Sequence, residues 1–271
     1  MKLVEAHIAK KQAEFTKHEF FSEQRMGSGS GSVLSFAPDL TFWVMAFQDV
    51  LRLNATLTKD PKIRKIVRHH RAEDAGHDRW FLDDLSAMQI PAPDVRWLFG
   101  ERHKATRDST YMLVSECYRT TDDRMRLVLV QTLESAGHIF FGKVAEAVEK
   151  AGWTKLLKYF SFSHLEVEKS HEVFEAEIAK TISAIRFEPK ARAEAKQLVD
   201  RCYLAFTSMF DALCAASDRQ IAGLQAAVVA PAPTARVQVQ AEPQPRPAPA
   251  GVGISFVPPP AGNRPRTRTQ A

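Results

Sequence analysis

Residues 153–187 contain neither proline nor glycine, and apolar residues recur through them at the spacing of an α-helix. At about 100° per residue, Glu168 lies roughly 40° from His164 around such a helix, and His171 lies roughly 20° to the other side. Two imidazoles and a carboxylate on one largely apolar face are unfavourable unless something neutralises them, and a divalent metal does so directly. The segment therefore predicts a helix with part of a metal site, the alternative being hydrogen-bonded core histidines or a surface ion pair.

The rest of the chain before residue 228 also favours helices. Asp60 followed by Pro61 is typical of a helix start, because the aspartate accepts from the first backbone N–H groups and proline fits the first turn. We find neither a hairpin turn nor the alternating pattern of a strand. Helices are predicted at about 2–25, 39–57, 60–87, 106–118, 120–150, 154–185 and 189–227, with a short piece at 94–99. The predicted fold class is an all-α bundle of about seven helices.

The end of the chain differs in composition from the rest. Residues 228–271 contain ten of the fifteen prolines, in sequence too poor in large apolar residues to offset the entropy of ordering it. Five arginines and one glutamate give this segment four of the five net positive charges, so the preceding residues are nearly neutral and make no general case for nucleic acid binding. We predict a helical domain at 1–227 and a disordered Pro/Ala/Arg-rich tail at 228–271.

The cysteines and the lack of long apolar runs indicate the cellular compartment of the protein. Cys117, Cys202 and Cys214 lie far apart without CxxC spacing, which argues against a disulfide framework and against a zinc site. No apolar run reaches the length of a membrane span, and the first residues lack the apolar core of a signal peptide. We therefore expect a cytoplasmic protein without a membrane partner.

A second pattern, Glu-x-Ala-Gly-His, occurs at residues 73–77 and again at 134–138. Each copy places a carboxylate and a histidine one helical turn apart, with a glycine that allows another helix or a ligand to approach closely. Together with the motif around His164, histidine–carboxylate pairs occur on three predicted helices. A helical bundle can bring such faces together as a two-metal site.

The order of these motifs resembles that of the heme-oxygenase-like diiron oxidases and oxygenases, over roughly residues 10–220. The segments at 18–21 and 42–47 are also similar to the first two helices of that family. The resemblance implies the heme-oxygenase-like fold and metal ligands drawn from three helices: a carboxylate and a histidine, then a glutamate, then His-x-x-x-Asp/Glu-x-x-His. On this sequence they are Glu73 or Asp74, His77, Glu134, His164, Glu168 and His171.

The first carboxylate is open between two residues. On a continuous helix, Glu73 lies about 40° to one side of His77 and Asp74 about 60° to the other. His70 is nearly in line with His77 and is a further candidate, either as a ligand or as the partner of one.

Three other residues near this predicted site receive provisional roles. Glu134, the one carboxylate that can be placed on its helix, is expected to bridge two metals. His138 is expected to hydrogen bond to a ligand carboxylate. Asp84, one heptad after His77, either orients a histidine or caps a neighbouring helix.

The resemblance also implies an enzyme that binds two Fe(II) ions per chain and uses dioxygen as a co-substrate. Activities in the family include N-oxygenation of amines and guanidines, oxidative decarboxylation of fatty acids and C–C cleavage of amino acids. The expected partners are a small-molecule substrate, an external electron donor and a second copy of the chain in a homodimer. The sequence contains no feature that selects one substrate among these.

Four other hypotheses remain open. A metal-free enzyme of the thiaminase or pyrroloquinoline-quinone-synthase kind has the same fold but lacks the full ligand set. A ferritin-like iron-binding protein has paired Glu-x-x-His motifs, which only Glu168 and His171 match here. A true heme oxygenase needs a histidine near the N-terminus, where His7 and His18 lie, and a glycine-rich helix that we do not find. The last is a non-enzymatic bundle that presents the tail to a partner.

Overall fold

Helices make up nearly all of the regular structure in the computed structural model of the chain. The structure describes residues 1–26, 33–91, 93–169 and 172–229, without the side chains of 166–177 and 220–229. Within these ranges there are no strands, and no helix is long and apolar enough to cross a bilayer. The helices are α1 (Lys2–Phe15), α2 (Glu23–Met26), α3 (Thr41–Leu57), α4 (Pro61–Glu73), α5 (His77–Ala87), α6 (Val95–Leu98), α7 (Lys104–Arg119), α8 (Asp123–Lys150), α9 (Phe162–Lys169), α10 (Glu172–Ala184) and α11 (Pro189–Val229), with single 3₁₀ turns at Glu19–Phe21, Ala37–Leu40 and Glu101–His103. The predicted all-helical fold class is confirmed.

The unit Met1–Val229 is built around two long helices, α8 and α11. Helix α8 packs against α1, α4, α9 and α11, and α7 packs between α3 and α11. Aromatic rings fill the space between α8 and α11, where Phe20, Phe140 and Phe210 lie with centroids 4.6 to 6.4 Å apart. Burial of such rings is the main favourable term that holds the bundle together. The predicted tail from 230 onward lies outside the described residues and stays a prediction.

The start of α4 forms as predicted. One oxygen of Asp60, Oδ1, accepts hydrogen bonds from the backbone N–H groups of Lys62 and Ile63, each at 2.9 Å, and Pro61 occupies the first helical position. This cap sets the residue at which α4 begins. His69 and His70 lie near the other end of the same helix.

The predicted helix at 60–87 is wrong as one continuous helix. It is broken between α4 and α5, where Gly76 has a φ of +95°, a left-handed conformation that glycine adopts without steric penalty. The helical angles that related Glu73, Asp74 and His77 therefore do not apply. Asp74 instead follows the last residue of α4, and His77 begins α5 after a tight turn.

The predicted helix at 154–185 is also interrupted, because its first turns are irregular backbone. Asp84 on α5 accepts hydrogen bonds from the backbone N–H groups of Lys158, at 2.8 Å, and Phe160, at 3.1 Å. These bonds satisfy donors that a helix would have used, so regular helix starts only at Phe162. Asp84 therefore holds the backbone that precedes α9 through these two hydrogen bonds. The helix predicted at 2–25 likewise ends at Phe15, and two short turns follow it.

Candidate metal centre

Asp74 lies between two histidines at the junction of α4 and α5. Its Oδ2 is 3.4 Å from Nε2 of His70, and its Oδ1 is 3.2 Å from Nδ1 of His77. Burial alone would raise the pKa of Asp74, but the hydrogen bond from His77 and the charges of His70, His77 and His164 lower it below its usual value. The carboxylate is therefore held in its anionic form, which is the form that binds metals.

Glu73 lies against a different histidine. Its Oε1 is 2.9 Å from Nε2 of His69, one turn earlier on α4. Of the two carboxylates that the sequence left open, Asp74 lies among the buried histidines and Glu73 lies against His69.

Glu134 reaches the same cluster from α8. Its Oε1 is hydrogen bonded to Nε2 of His70. His70, Asp74 and Glu134 each offer one ligand atom, and these atoms lie within 4.8 Å of one another. The Glu134 side chain is 52% exposed, whereas that of Asp74 is 18% exposed, so the cluster is buried on one side and open on the other.

His164 closes the buried side of the cluster. It is 1% exposed, and its ring centroid is 4.3 Å from that of His77. Its Nδ1 donates a hydrogen bond of 2.9 Å to the carbonyl of Tyr159, in the segment that Asp84 holds. A neutral imidazole that donates from Nδ1 carries its lone pair on Nε2, the arrangement commonly seen in metal-binding histidines.

Two predicted ligands and one predicted supporting residue remain to be placed. The side chain of Glu168 and the whole of His171 lie outside the described residues, so this half of the His164 motif stays a prediction. His138 is exposed, one turn beyond Glu134 on α8, and among the described side chains it forms no hydrogen bond or ion pair with a carboxylate of the cluster. Because the side chain of Glu168 is not among them, the predicted bond from His138 to a ligand carboxylate stays a prediction.

His70 belongs to this cluster, although the sequence analysis gave it only as a further candidate. It is buried, and its Nδ1 has no hydrogen-bond partner among the described residues. Burial alone would lower the pKa of His70, but the charge and hydrogen bond of Glu134, with the charges of Asp74 and Glu73, raise it to about 9. Its spacing of one turn before Asp74 on α4 was the available signal.

The raised pKa of His70 leads to a testable dependence of stability on pH. Because the folded state binds this proton more tightly than the unfolded chain, the stabilisation is complete below about pH 6.5 and is lost as the pH rises through about 9. We expect the free energy of unfolding of the metal-free protein to fall by the order of 2 kcal/mol over that range, less than the full shift implies because Glu134 is half exposed. Urea unfolding between pH 6 and 9.5 measures it. The His70→Gln variant is the control, and equal slopes for the two proteins would contradict the assignment.

Two cavities meet at Asp74 and His77. The outer cavity, of about 420 Å³, lies between α1, α4, α8 and α10, and Glu134 lines it. The inner chamber, of about 80 Å³, is lined mainly by aromatic and aliphatic side chains, among them Trp43, Phe47, Phe141 and Phe206, and His164 also lines it. Asp74 and His77 line both cavities, so a molecule bound in either one could contact the cluster.

The three cysteines are unsuited to act as nucleophiles here. All are buried, and none is among the described residues that line either cavity. Burial raises the pKa of Cys117 and of Cys214 to about 11, and raises that of Cys202 still further. Their thiols therefore stay protonated at neutral pH and are less reactive than a thiolate.

The donor atoms of the cluster suit a first-row transition metal. Imidazole nitrogens and carboxylate oxygens are the ligands of non-heme iron sites, and the buried His70 presents its Nε2 to two carboxylates. Among the described residues, His70, Asp74 and Glu134 have ligand atoms close enough together to hold one metal ion. His77 lies beside Asp74, and His164 lies against His77, so these two histidines are further candidate ligands.

Comparison with known proteins supports the fold. No family model matches the chain, and no curated protein matches it in sequence. A TenA homolog from Pseudomonas syringae pv. tomato is similar in structure, with a TM-score of 0.61 and 13% identity over 79% of this chain and 91% of its own. A domain of unknown function with a heme oxygenase-like fold from Shewanella denitrificans has a TM-score of 0.59 and 15% identity over 83% of this chain and 94% of its own. The chain therefore has the heme oxygenase-like helical fold.

Proposed function

We propose that the protein is a non-heme diiron oxidoreductase that uses dioxygen to oxidise a small organic substrate. The observation that carries the proposal is the convergence of side chains from three separate parts of the chain. Asp74, His77 and Glu134 line one open cavity, and the ring of His164 lies 4.3 Å from that of His77. Glu168 and His171 are proposed to complete the ligand set from the sequence motif. Bound iron would supply electrons to dioxygen and hold an oxidant beside the substrate.

The protein's own contribution is to orient the ligands and to separate the substrate from water. Tyr159 fixes the ring of His164 through its carbonyl, and Asp84 in turn fixes the backbone on both sides of Tyr159. The inner chamber offers an apolar wall, so it would hold the hydrocarbon part of a substrate. At about 80 Å³ it is smaller than the roughly 150 Å³ cavity that holds a benzene ring, so it would take only a short aliphatic segment.

Anaerobic reconstitution with ferrous iron tests the proposal. We expect about two irons per chain, no Soret absorbance, and a rise in near-ultraviolet absorbance when dioxygen is admitted. Zinc-loaded protein is the control, because zinc takes nitrogen and oxygen ligands but has no redox chemistry. Iron at background levels, or one heme per chain, would contradict the proposal.

A metal-free enzyme with the same fold is the second candidate. The observation that favours it is that His70 pairs with Glu134 and Asp74 pairs with His77, so the same residues could serve as proton donors and acceptors. The similarity in fold to a TenA homolog is compatible with either reading. A reaction that needs neither iron nor dioxygen, and that survives exhaustive chelation, would favour this candidate.

A further inference from the structure

We propose that His70 is itself a metal ligand and that Asp74 is the carboxylate shared between two metal positions. The outer position would use His70, Glu134 and the Oδ2 side of Asp74, and the inner position would use His77, His164 and the Oδ1 side of Asp74. This inference rests on the proposed metal centre and goes beyond the ligand set that the sequence motifs imply.

The shared role of Asp74 follows from the direction of its two oxygens. Each oxygen faces a different imidazole, at 3.4 Å for His70 and 3.2 Å for His77. Two ligands of one metal, each about 2.1 Å from it, lie roughly 3 Å apart when they are neighbours in the coordination sphere. Both pairs are close to that separation, so each oxygen is placed to share a metal with its own histidine.

The role of Glu134 differs from that of a bridging residue. Within the cluster Glu134 is hydrogen bonded to His70, and it lines the outer cavity but not the inner chamber that His164 lines. Its half-exposed side chain opens toward the outer cavity. Glu134 therefore belongs to the outer position, and Asp74, which is more buried and lies between the histidines, is better placed to bridge.

The burial of His70 beside two carboxylates also supports its role as a metal ligand. The side chain is 10% exposed, and its Nε2 lies beside a carboxylate oxygen of Asp74 and one of Glu134. A histidine whose only role was to pack against α8 would not need two carboxylates within reach of one nitrogen. A cation shared by the three side chains accounts for this arrangement.

Titration with Co(II) tests the inference without the use of activity. Full-length protein stripped with a chelator is titrated anaerobically, and binding is followed by calorimetry and by the visible d–d absorption bands of Co(II). We expect two equivalents for the unaltered protein. His70→Ala and His70→Gln should each bind one equivalent at nearly unaltered affinity, with the other weakened at least tenfold. The matched control His69→Ala, one residue away on α4, should still bind two.

The outcomes separate this inference from the proposed function. Two equivalents of unaltered affinity in folded His70→Ala and His70→Gln would overturn the role of His70 and leave the metal centre standing. Loss of both equivalents, with the melting temperature retained, would overturn the assignment to two separate positions. If the unaltered protein bound no Co(II), both the inference and the proposed metal centre would fail.

Discussion

Replacement of Asp74 by alanine is expected to remove nearly all bound iron. The carboxylate is anionic, lies between His70 and His77, and is the group that both metal positions would share. Its loss should lower metal affinity by the order of 100-fold or more, beyond the tenfold to 100-fold effect of removing a residue that only supports a ligand. Iron per chain after anaerobic reconstitution and desalting measures the effect.

Glu73→Ala is the matched control for this experiment. Glu73 is the adjacent carboxylate, and its Oε1 lies 2.9 Å from Nε2 of His69. We expect it to keep close to two irons per chain. An Asp74→Asn variant keeps the shape of the side chain and separates loss of charge from loss of packing. Equal iron contents in the Asp74 and Glu73 variants would show that Asp74 is not a ligand.

Replacement of Glu134 by alanine is expected to remove one iron and to abolish the reaction with dioxygen. Because Glu134 is the main group that raises the pKa of His70, its removal should also lower the free energy of unfolding at neutral pH, by at most the order of 2 kcal/mol expected for that shift. Iron should fall to about one per chain, because the inner histidines His77 and His164 would remain in place. The rate of dioxygen consumption should fall by the order of 100-fold, since a reaction that uses two metals loses one of them.

His138→Ala is the control for Glu134, one turn away on the same helix. His138 is exposed, and among the described side chains it forms no hydrogen bond or ion pair with the cluster. It should keep two irons and the full rate. If His138→Ala lost iron and Glu134→Ala did not, the assignment of α8 to the site would be wrong.

The sequence predicted the helices well wherever local pattern decides the structure. Helices α3, α7 and α8 begin and end within a few residues of their predicted bounds, because their apolar periodicity and caps are local features. The break at Gly76 was missed, because a glycine inside a helical pattern is compatible both with a continuous helix and with a left-handed turn.

The features that the sequence did not predict depend on contacts between distant residues. Asp84 accepts a hydrogen bond from the backbone N–H of Phe160, which is 76 residues further along the chain. No local sequence pattern indicates a bond between such distant residues. Because the helix breaks at Gly76, the chain turns and Asp74 lies between His70 and His77. His70 enters the cluster because α8 brings Glu134 to it across 64 residues. The sequence therefore predicts that histidines and carboxylates form the site. Which histidine contacts which carboxylate is determined by the fold.

Anomalous diffraction at the iron absorption edge tests the central claim most directly. Crystals of the full-length protein, grown anaerobically with ferrous iron, would be measured just above and just below the edge. We expect two iron peaks, each within roughly 2.3 Å of an oxygen of Asp74, one on the side of His70 and the other on the side of His77. Iron-loaded crystals that showed no anomalous peak near Asp74 would contradict the proposed metal centre.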